Sequence, residues 1–148
     1  MAFVAGVLEA LVLIPVQGYV SQLPHGVAVA ELPVEGARLV PLTNEVRARF
    51  GVAAGARDKV AGFRELTHGI AHWAENLSDH WTVLYVHCEF WAGHGIHAAI
   101  AWSQGSVVFG PKFTRTPNEE AEPPYELADG PGMAIHAALR ALGVRRAA

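Results

Sequence analysis

Residues 81–109 read WTVLYVHCEFWAGHGIHAAIAWSQGSVVF. The part from Trp81 to Trp91 is dominated by β-branched and aromatic residues, which favour a strand. Both alternating faces of this strand are largely apolar, as is typical of a central strand that is covered on both sides. Two glycines then permit a turn, and a second strand is expected from about Ile96 to Trp102. Ser103-Gln104-Gly105 is a tight-turn signal, and it is followed by a third strand over 106–109. The stretch therefore predicts an antiparallel meander.

The rest of the chain supplies further strands and helices around this meander. Extended pieces are expected over 26–32 and 36–42, whereas residues 3–13 fit either a helix or a strand. Thr43 is an N-cap signal for a helix that ends near Phe50. The clearest helical pattern runs from Phe63 to Asp79, where an apolar stripe lies opposite a polar one. That helix begins either at Phe63 or after Thr67, which is also a good N-cap.

These elements predict an α+β fold: a mainly antiparallel sheet of about four to six strands, with two or three helices packed on one face. Residues 1–148 are expected to form a single domain that closes with a helix over 132–142. A flexible loop rich in acidic residues and proline is expected at about 110–132. The core residues expected to be buried together are Leu84, Val86, Ile100, Leu77, Ile70 and Leu139.

Composition excludes several classes of partner. The formal net charge is -3, which argues against nucleic acid as a partner. The single cysteine, Cys88, excludes an internal disulfide and is typical of a protein of the reducing cytoplasm. The first twenty residues are apolar but contain no Lys or Arg, and Glu9 and Pro15 interrupt them, so we expect neither an export signal nor a membrane span. An apolar share of 51% permits a homo-oligomer.

The central stretch also carries the densest group of candidate metal ligands. Antiparallel pairing of its strands can bring His87 or Glu89 opposite His97. Two imidazoles and a carboxylate can bind zinc or a similar divalent metal, and a catalytic site of this kind keeps an open coordination position for water. A polar strip where a sheet meets solvent needs no metal, however, and this simpler interpretation, with no cofactor, is the one that we favour.

Two segments resemble a known group of proteins. The segments VLYVHCEFWAGHGIHAAIAWSQGSVVFGP and MAIHAALRALGV are similar to a group of short uncharacterised bacterial proteins, in which a strand of the type VEAEYFGG and an AAVVW strand precede a closing helix ending ALRALGV. The resemblance covers roughly residues 37–143. Some small proteins of this general kind are immunity or accessory factors, so the resemblance implies a role in binding and inhibiting another protein.

The expected function is therefore non-enzymatic binding of a protein partner, by an immunity-like or accessory inhibitor. The chain contains no phosphate loop, dinucleotide fingerprint, GxSxG elbow or CxxC pair, and we assign no catalytic residues. The aromatic pair Phe90 and Trp91 would anchor the partner, and the acidic residues Glu119, Glu120 and Glu122 would face basic groups on it. Two alternatives remain open: a metal-dependent hydrolase that uses His87, Glu89 and His97, and a structural subunit of a homo-oligomer.

Overall fold

The structure, a computed structural model, describes residues 5–16, 23–32, 36–50, 60–63, 65–91, 94–116, 138–139 and 141–142. Its elements in chain order are β1 (Ala5–Pro15), β2 (Ala30–Glu31), β3 (Arg38–Pro41), α1 (Asn44–Phe50), α2 (His68–Leu77), β4 (Trp81–Trp91), β5 (His94–Ser103) and β6 (Ser106–Thr116). The strands form one antiparallel sheet in the order β2-β3-β1-β4-β5-β6. The predicted α+β class, with a mainly antiparallel sheet, is confirmed.

The meander of β4, β5 and β6 follows the sequence pattern closely. Strand β4 has the predicted bounds, and β5 is only slightly longer than expected. The turn between β5 and β6 places Gln104 and Gly105 at φ values of 51° and 78°, the combination that a two-residue hairpin turn requires. The backbone N–H groups of both turn residues donate to Ser78, at 2.7 Å and 2.9 Å, which joins this turn to the end of α2.

Strand β6 extends into the predicted loop. The loop was expected to begin at residue 110, but β6 continues to Thr116, and the remainder of the predicted loop lies outside the described residues. The strand passes Pro111 because it is the last described strand of the sheet, where a missing N–H group can face away from the neighbouring strand. A register shift opposite Ala99–Ala101 and a φ of 82° at Gly110 accommodate the irregular backbone at this point.

The sequence left two points open: whether residues 3–13 form a helix or a strand, and whether the helix near residues 63–79 begins at Phe63 or after Thr67. Residues 5–15 form a strand that pairs with β3 on one side and β4 on the other, so tertiary pairing decides where periodicity did not. Helix α2 begins after Thr67, whose hydroxyl accepts a hydrogen bond from the N–H of Ile70 at 3.1 Å. Thr43 caps α1 in the same way through the N–H of Val46. Neither of these described helices is long and apolar enough to cross a membrane.

The sheet buries apolar side chains on both of its faces. On one face, here called the helix face, Ile70 of α2 packs with Val83, Tyr85 and Ile100. On the opposite face, Leu84 and Val86 pack with Ala138 and with other residues of the C-terminal helical turn. The prediction of one shared core was wrong: Leu84, Val86 and Leu139 belong to the opposite face, whereas Ile70, Leu77 and Ile100 belong to the helix face. Alternation along β4 is the reason, since adjacent residues of a strand point to opposite faces.

Candidate functional site

A row of polar side chains crosses the helix face at one end of the sheet. Tyr85, His87 and Glu89 follow one another at every second position of β4, so they share a face. Glu9 of β1 is the register partner of His87, which places its carboxylate beside the same row. Four polar side chains thus meet next to an apolar core, where each has to find a partner.

Glu9 is compensated by two donors. One carboxylate oxygen accepts a hydrogen bond from Nη2 of Arg47, and the other accepts from the hydroxyl of Tyr85. Arg47 also donates to the backbone oxygen of Glu65 at 3.2 Å, so this residue of α1 ties the helix to β1 and to the segment before α2. Burial, reinforced by the charge of Glu9, raises the pKa of Tyr85 above its ordinary value, so that the phenol remains a hydrogen-bond donor.

His87 and Glu89 form a second pair beside this network. The imidazole is buried, with 3% of its residue surface exposed, and its Nε2 lies 2.9 Å from Oε2 of Glu89. An ionised carboxylate can only accept, so Nε2 carries the proton in this bond. In the neutral ring Nδ1 is then an acceptor, and the arrangement resembles the carboxylate–imidazole pairs that orient a histidine towards a ligand or a proton.

His97 does not join this pair. The register places His97 opposite Cys88 and Ala98 opposite His87, so His97 lies on the opposite face of the sheet from His87 and Glu89. The expectation that His97 could lie opposite His87 or Glu89 therefore differs from the structure. The register between β4 and β5 is shifted by one residue from either of those pairings. Within the described ranges, no group of three His, Cys, Asp or Glu side chains is placed to hold a metal ion.

The neighbour of His97 is a thiol that burial keeps protonated. Cys88 is 4% exposed, and burial raises its pKa to about 11. A thiol becomes a strong nucleophile only as the thiolate, which helix N-termini or adjacent cations favour. Cys88 has an apolar environment instead and acts as a small core residue of the opposite face.

Two concave regions border the polar row. A cavity of about 330 Å³ lies on the β6 side and is bordered by Gly62, His87, Ile96, His97, Ala98, Phe113 and Thr114. A groove of about 420 Å³ lies on the β3 side, where β1 extends beyond β3. The described residues that border this groove are Val7, Leu8, Glu9, Pro41, Leu42, Thr43, Asn44, Arg47, Glu65 and Glu89. Here the groove is called the β1 groove. The His87–Glu89 pair separates the two regions, because His87 borders the cavity and Glu89 borders the groove.

The β1 groove follows a part of β1 that β3 does not cover. Strand β3 pairs only with residues 10–13 of β1, whereas β4 pairs with the whole strand. Beyond Glu9, which accepts a hydrogen bond from the N–H of Leu42 at 3.0 Å, no described strand pairs with the outer edge of β1. Val7 and Leu8, which are 69% and 43% exposed, stand on this uncovered part.

The residues proposed to bind a partner lie partly at this end of the sheet. Phe90 and Trp91 are the register partners of Gly6 and Ala5, so the end of β4 runs alongside the uncovered part of β1. The side chains of Phe90 and Trp91 lie outside what the structure describes. Glu119, Glu120 and Glu122 also lie outside the described residues.

Sequence reasoning missed three residues of the polar network: Glu9, Arg47 and Tyr85. Glu9 carried a usable signal, because it is the only charged residue in the otherwise apolar segment AGVLEALVLIP. A lone carboxylate in an apolar strand requires a cation or another donor nearby. The position of that donor, on a helix far along the chain, follows from tertiary packing and has no local pattern.

Comparison of the chain with protein-family models, with curated proteins and with solved structures finds no match. The function has to be argued from the site itself.

Proposed function

We propose that this protein is a non-enzymatic binding protein that takes up an extended segment of a protein partner as an added strand at residues 5–9 of β1. In this role it would act as an immunity-like or accessory inhibitor. The observation that carries the proposal is the outer edge of β1 beyond Glu9, with which no described strand pairs and which lies beside a groove. The partner is expected to be a different protein, recognised through main-chain hydrogen bonds and through the charge of the groove.

The backbone of β1 offers the hydrogen bonds that an added strand needs. The carbonyl of Glu9 faces β3, because it accepts from the N–H of Leu42. In an antiparallel strand every second residue directs both its N–H and its C=O to the same side. The N–H and C=O of Val7 therefore face the same outer edge, beyond the end of β3. An extended peptide placed there would continue the sheet, as in other complexes formed by strand addition.

The charge of the groove selects the partner. Among the described residues, the carboxylates of Glu9, Glu65 and Glu89 border it together with the guanidinium of Arg47. An incoming segment with a Lys or Arg would be attracted by these carboxylates, whereas an acidic segment would be repelled. The exposed side chain of Val7 offers an apolar contact in the same groove, so the preferred segment alternates apolar and basic residues.

The two alternative functions are less well supported by this geometry. The metal-dependent hydrolase needed His97 next to His87 and Glu89, and the register separates them. A homo-oligomer could use the same edge of β1, and the experiment below distinguishes this outcome. The carboxylates that border the groove favour a basic partner over a second copy of a chain whose own net charge is -3.

Selection from a displayed library of random peptides on the purified protein tests the proposal. We expect the retained peptides to be extended and basic, and to lose about tenfold in affinity for the Val7→Pro variant. Proline removes the N–H that faces the partner and leaves the bonds to β4 intact, and one main-chain hydrogen bond accounts for a change of this size. Fluorescence anisotropy of a labelled synthetic peptide measures the affinity.

Val7→Ala is the matched control, because it shortens the side chain but keeps the backbone donor. It should retain binding within about threefold, and both variants should keep the circular dichroism and the thermal transition of the original protein. Peptides that bind Val7→Pro as well as the original would refute the site. Analytical ultracentrifugation that shows a dimer abolished by Val7→Pro would assign the edge to a second copy and would also contradict the proposed partner.

A further inference from the structure

The cavity on the β6 side of the polar row is separate from the edge used in the proposed function. Its apolar wall consists of Ile96, Ala98 and Phe113, and among the described residues that border it His87 is the ionisable side chain on the helix face. His97 borders the cavity from a position whose side chain belongs to the opposite face. The described part of the cavity therefore combines an apolar surface with the imidazole of His87.

Aromatic packing holds the apolar wall in place. The ring of Phe113 lies edge-on to Phe63, with centroids 4.9 Å apart, and Phe63 lies edge-on to Tyr85 at 5.7 Å. A Cβ atom at Gly62 would come within 2.9 Å of the Phe113 ring, and the φ of +89° at this position also favours glycine. The absence of a side chain at Gly62 lets the Phe113 ring lie against the backbone and form one side of the cavity.

The hydrogen bond to Glu89 fixes the orientation of the His87 imidazole. Glu89 accepts from Nε2 of His87 at 2.9 Å, so Nδ1 is the nitrogen that can meet a ligand, and in the neutral ring it is an acceptor. An acceptor that borders an apolar cavity favours a ligand that brings one donor, because a bound ligand that left the nitrogen without a partner would cost free energy. The volume of about 330 Å³ lies at the lower end of the range for small-molecule sites.

We propose that this cavity is a binding site for a small aromatic molecule that carries one neutral hydroxyl donor, a ligand of the phenol class. The hydroxyl donates to Nδ1 of His87, and the ring packs against Phe113, Ile96 and Ala98. Aromatic rings pack favourably edge-on or offset against other rings, which the Phe63–Phe113 pair extends to the ligand. The site depends on the cavity alone and not on the edge of β1.

Phenol and toluene form the pair of probes, since they have nearly the same shape and only phenol can donate. Saturation-transfer NMR and calorimetric titration should show that phenol binds about tenfold more tightly than toluene, in line with one additional hydrogen bond. In His87→Phe the preference for phenol should disappear. The matched control, His72→Gln, alters an exposed histidine of α2 and should leave the preference unchanged.

A second variant keeps the test decisive if His87→Phe does not fold. Ala98→Leu enlarges a side chain that borders the cavity and leaves the His87–Glu89 pair in place, so it should abolish the binding of both probes. The control Val107→Leu, at an exposed position of β6, should leave the binding of both probes unchanged. Imidazole ¹⁵N shifts should report His87 protonated at Nε2. Equal affinity for phenol and toluene, binding that survives Ala98→Leu, or protonation at Nδ1 would overturn the proposal.

Discussion

Replacing Arg47 by alanine tests whether the Glu9 network holds the two layers of the protein together. The carboxylate of Glu9 is 8% exposed and Arg47 is 22% exposed, so the pair is largely withdrawn from water. Arg47→Ala removes the cation and the bonds to the Glu65 backbone, and leaves Tyr85 as the donor to Glu9. We expect the free energy of unfolding to fall.

The size of the loss follows from the burial of the pair. Removing one partner of a fully buried ion pair costs about 3–5 kcal/mol, because the remaining charge is buried without compensation. Arg47 keeps some contact with water and Tyr85 still donates to Glu9, so we expect about 2–3 kcal/mol here. Most of this loss should come from the uncompensated carboxylate and less from the packing of the arginine stem.

Urea denaturation at pH 7, followed by tryptophan fluorescence, measures the effect. Arg49→Ala is the matched control, because Arg49 lies on the same helix and its bond to the Gly26 carbonyl is exposed, so it should cost less than about 1 kcal/mol. Adding Glu9→Gln to Arg47→Ala should recover at least about 1 kcal/mol by removing the buried charge. A loss no greater than that of Arg49→Ala, or no recovery in the double variant, would refute the reasoning.

Two further predictions concern the opposite face of the sheet. Cys88 should react with iodoacetamide at pH 8 roughly 100-fold more slowly in the folded protein than in urea, because its pKa is raised from 9.0 to about 11 and only the thiolate reacts; equal rates would mean that the thiol is accessible. The same raised pKa means that the thiol stabilises the fold below about pH 9 and that this contribution is lost as the pH rises towards 11, since the unfolded chain releases its proton first. Leu84→Ala should lower the free energy of unfolding by about 2–5 kcal/mol, because Leu84 is fully buried. The control Leu8→Ala, at an exposed position, should lower it by less than about 1 kcal/mol. Similar losses for the two variants would show that β4 is not central.

The meander could be predicted because its information is local. β-branched and aromatic residues, glycines and the Ser103-Gln104-Gly105 turn each act within a few positions, so the strands of residues 81–109 follow from the sequence. The extension of β6 past Pro111 was missed, because proline ends a strand in the interior of a sheet but not at its edge. Whether β6 is an edge strand depends on the order of the whole sheet.

The candidate site could be predicted only in part. His87 and Glu89 share a face because they are two residues apart in one strand, and the structure brings them together. The position of His97 depends on the register between β4 and β5, and a shift of one residue moves every side chain of a strand to the other face. Residues 92–95, with two glycines, leave this register undetermined in the sequence.

The two outermost strands of the sheet have a consequence for the stoichiometry of the protein. Strand β2 has only two residues and contains Glu31, and β6 carries a register shift, Pro111 and Lys112. Short strands, charges, proline and bulges at an edge all prevent further strands from adding there. A segment that adds beside residues 5–9 would lie in line with β3. Strand addition at the described edges would therefore be limited to residues 5–9 of β1, which gives one site per chain.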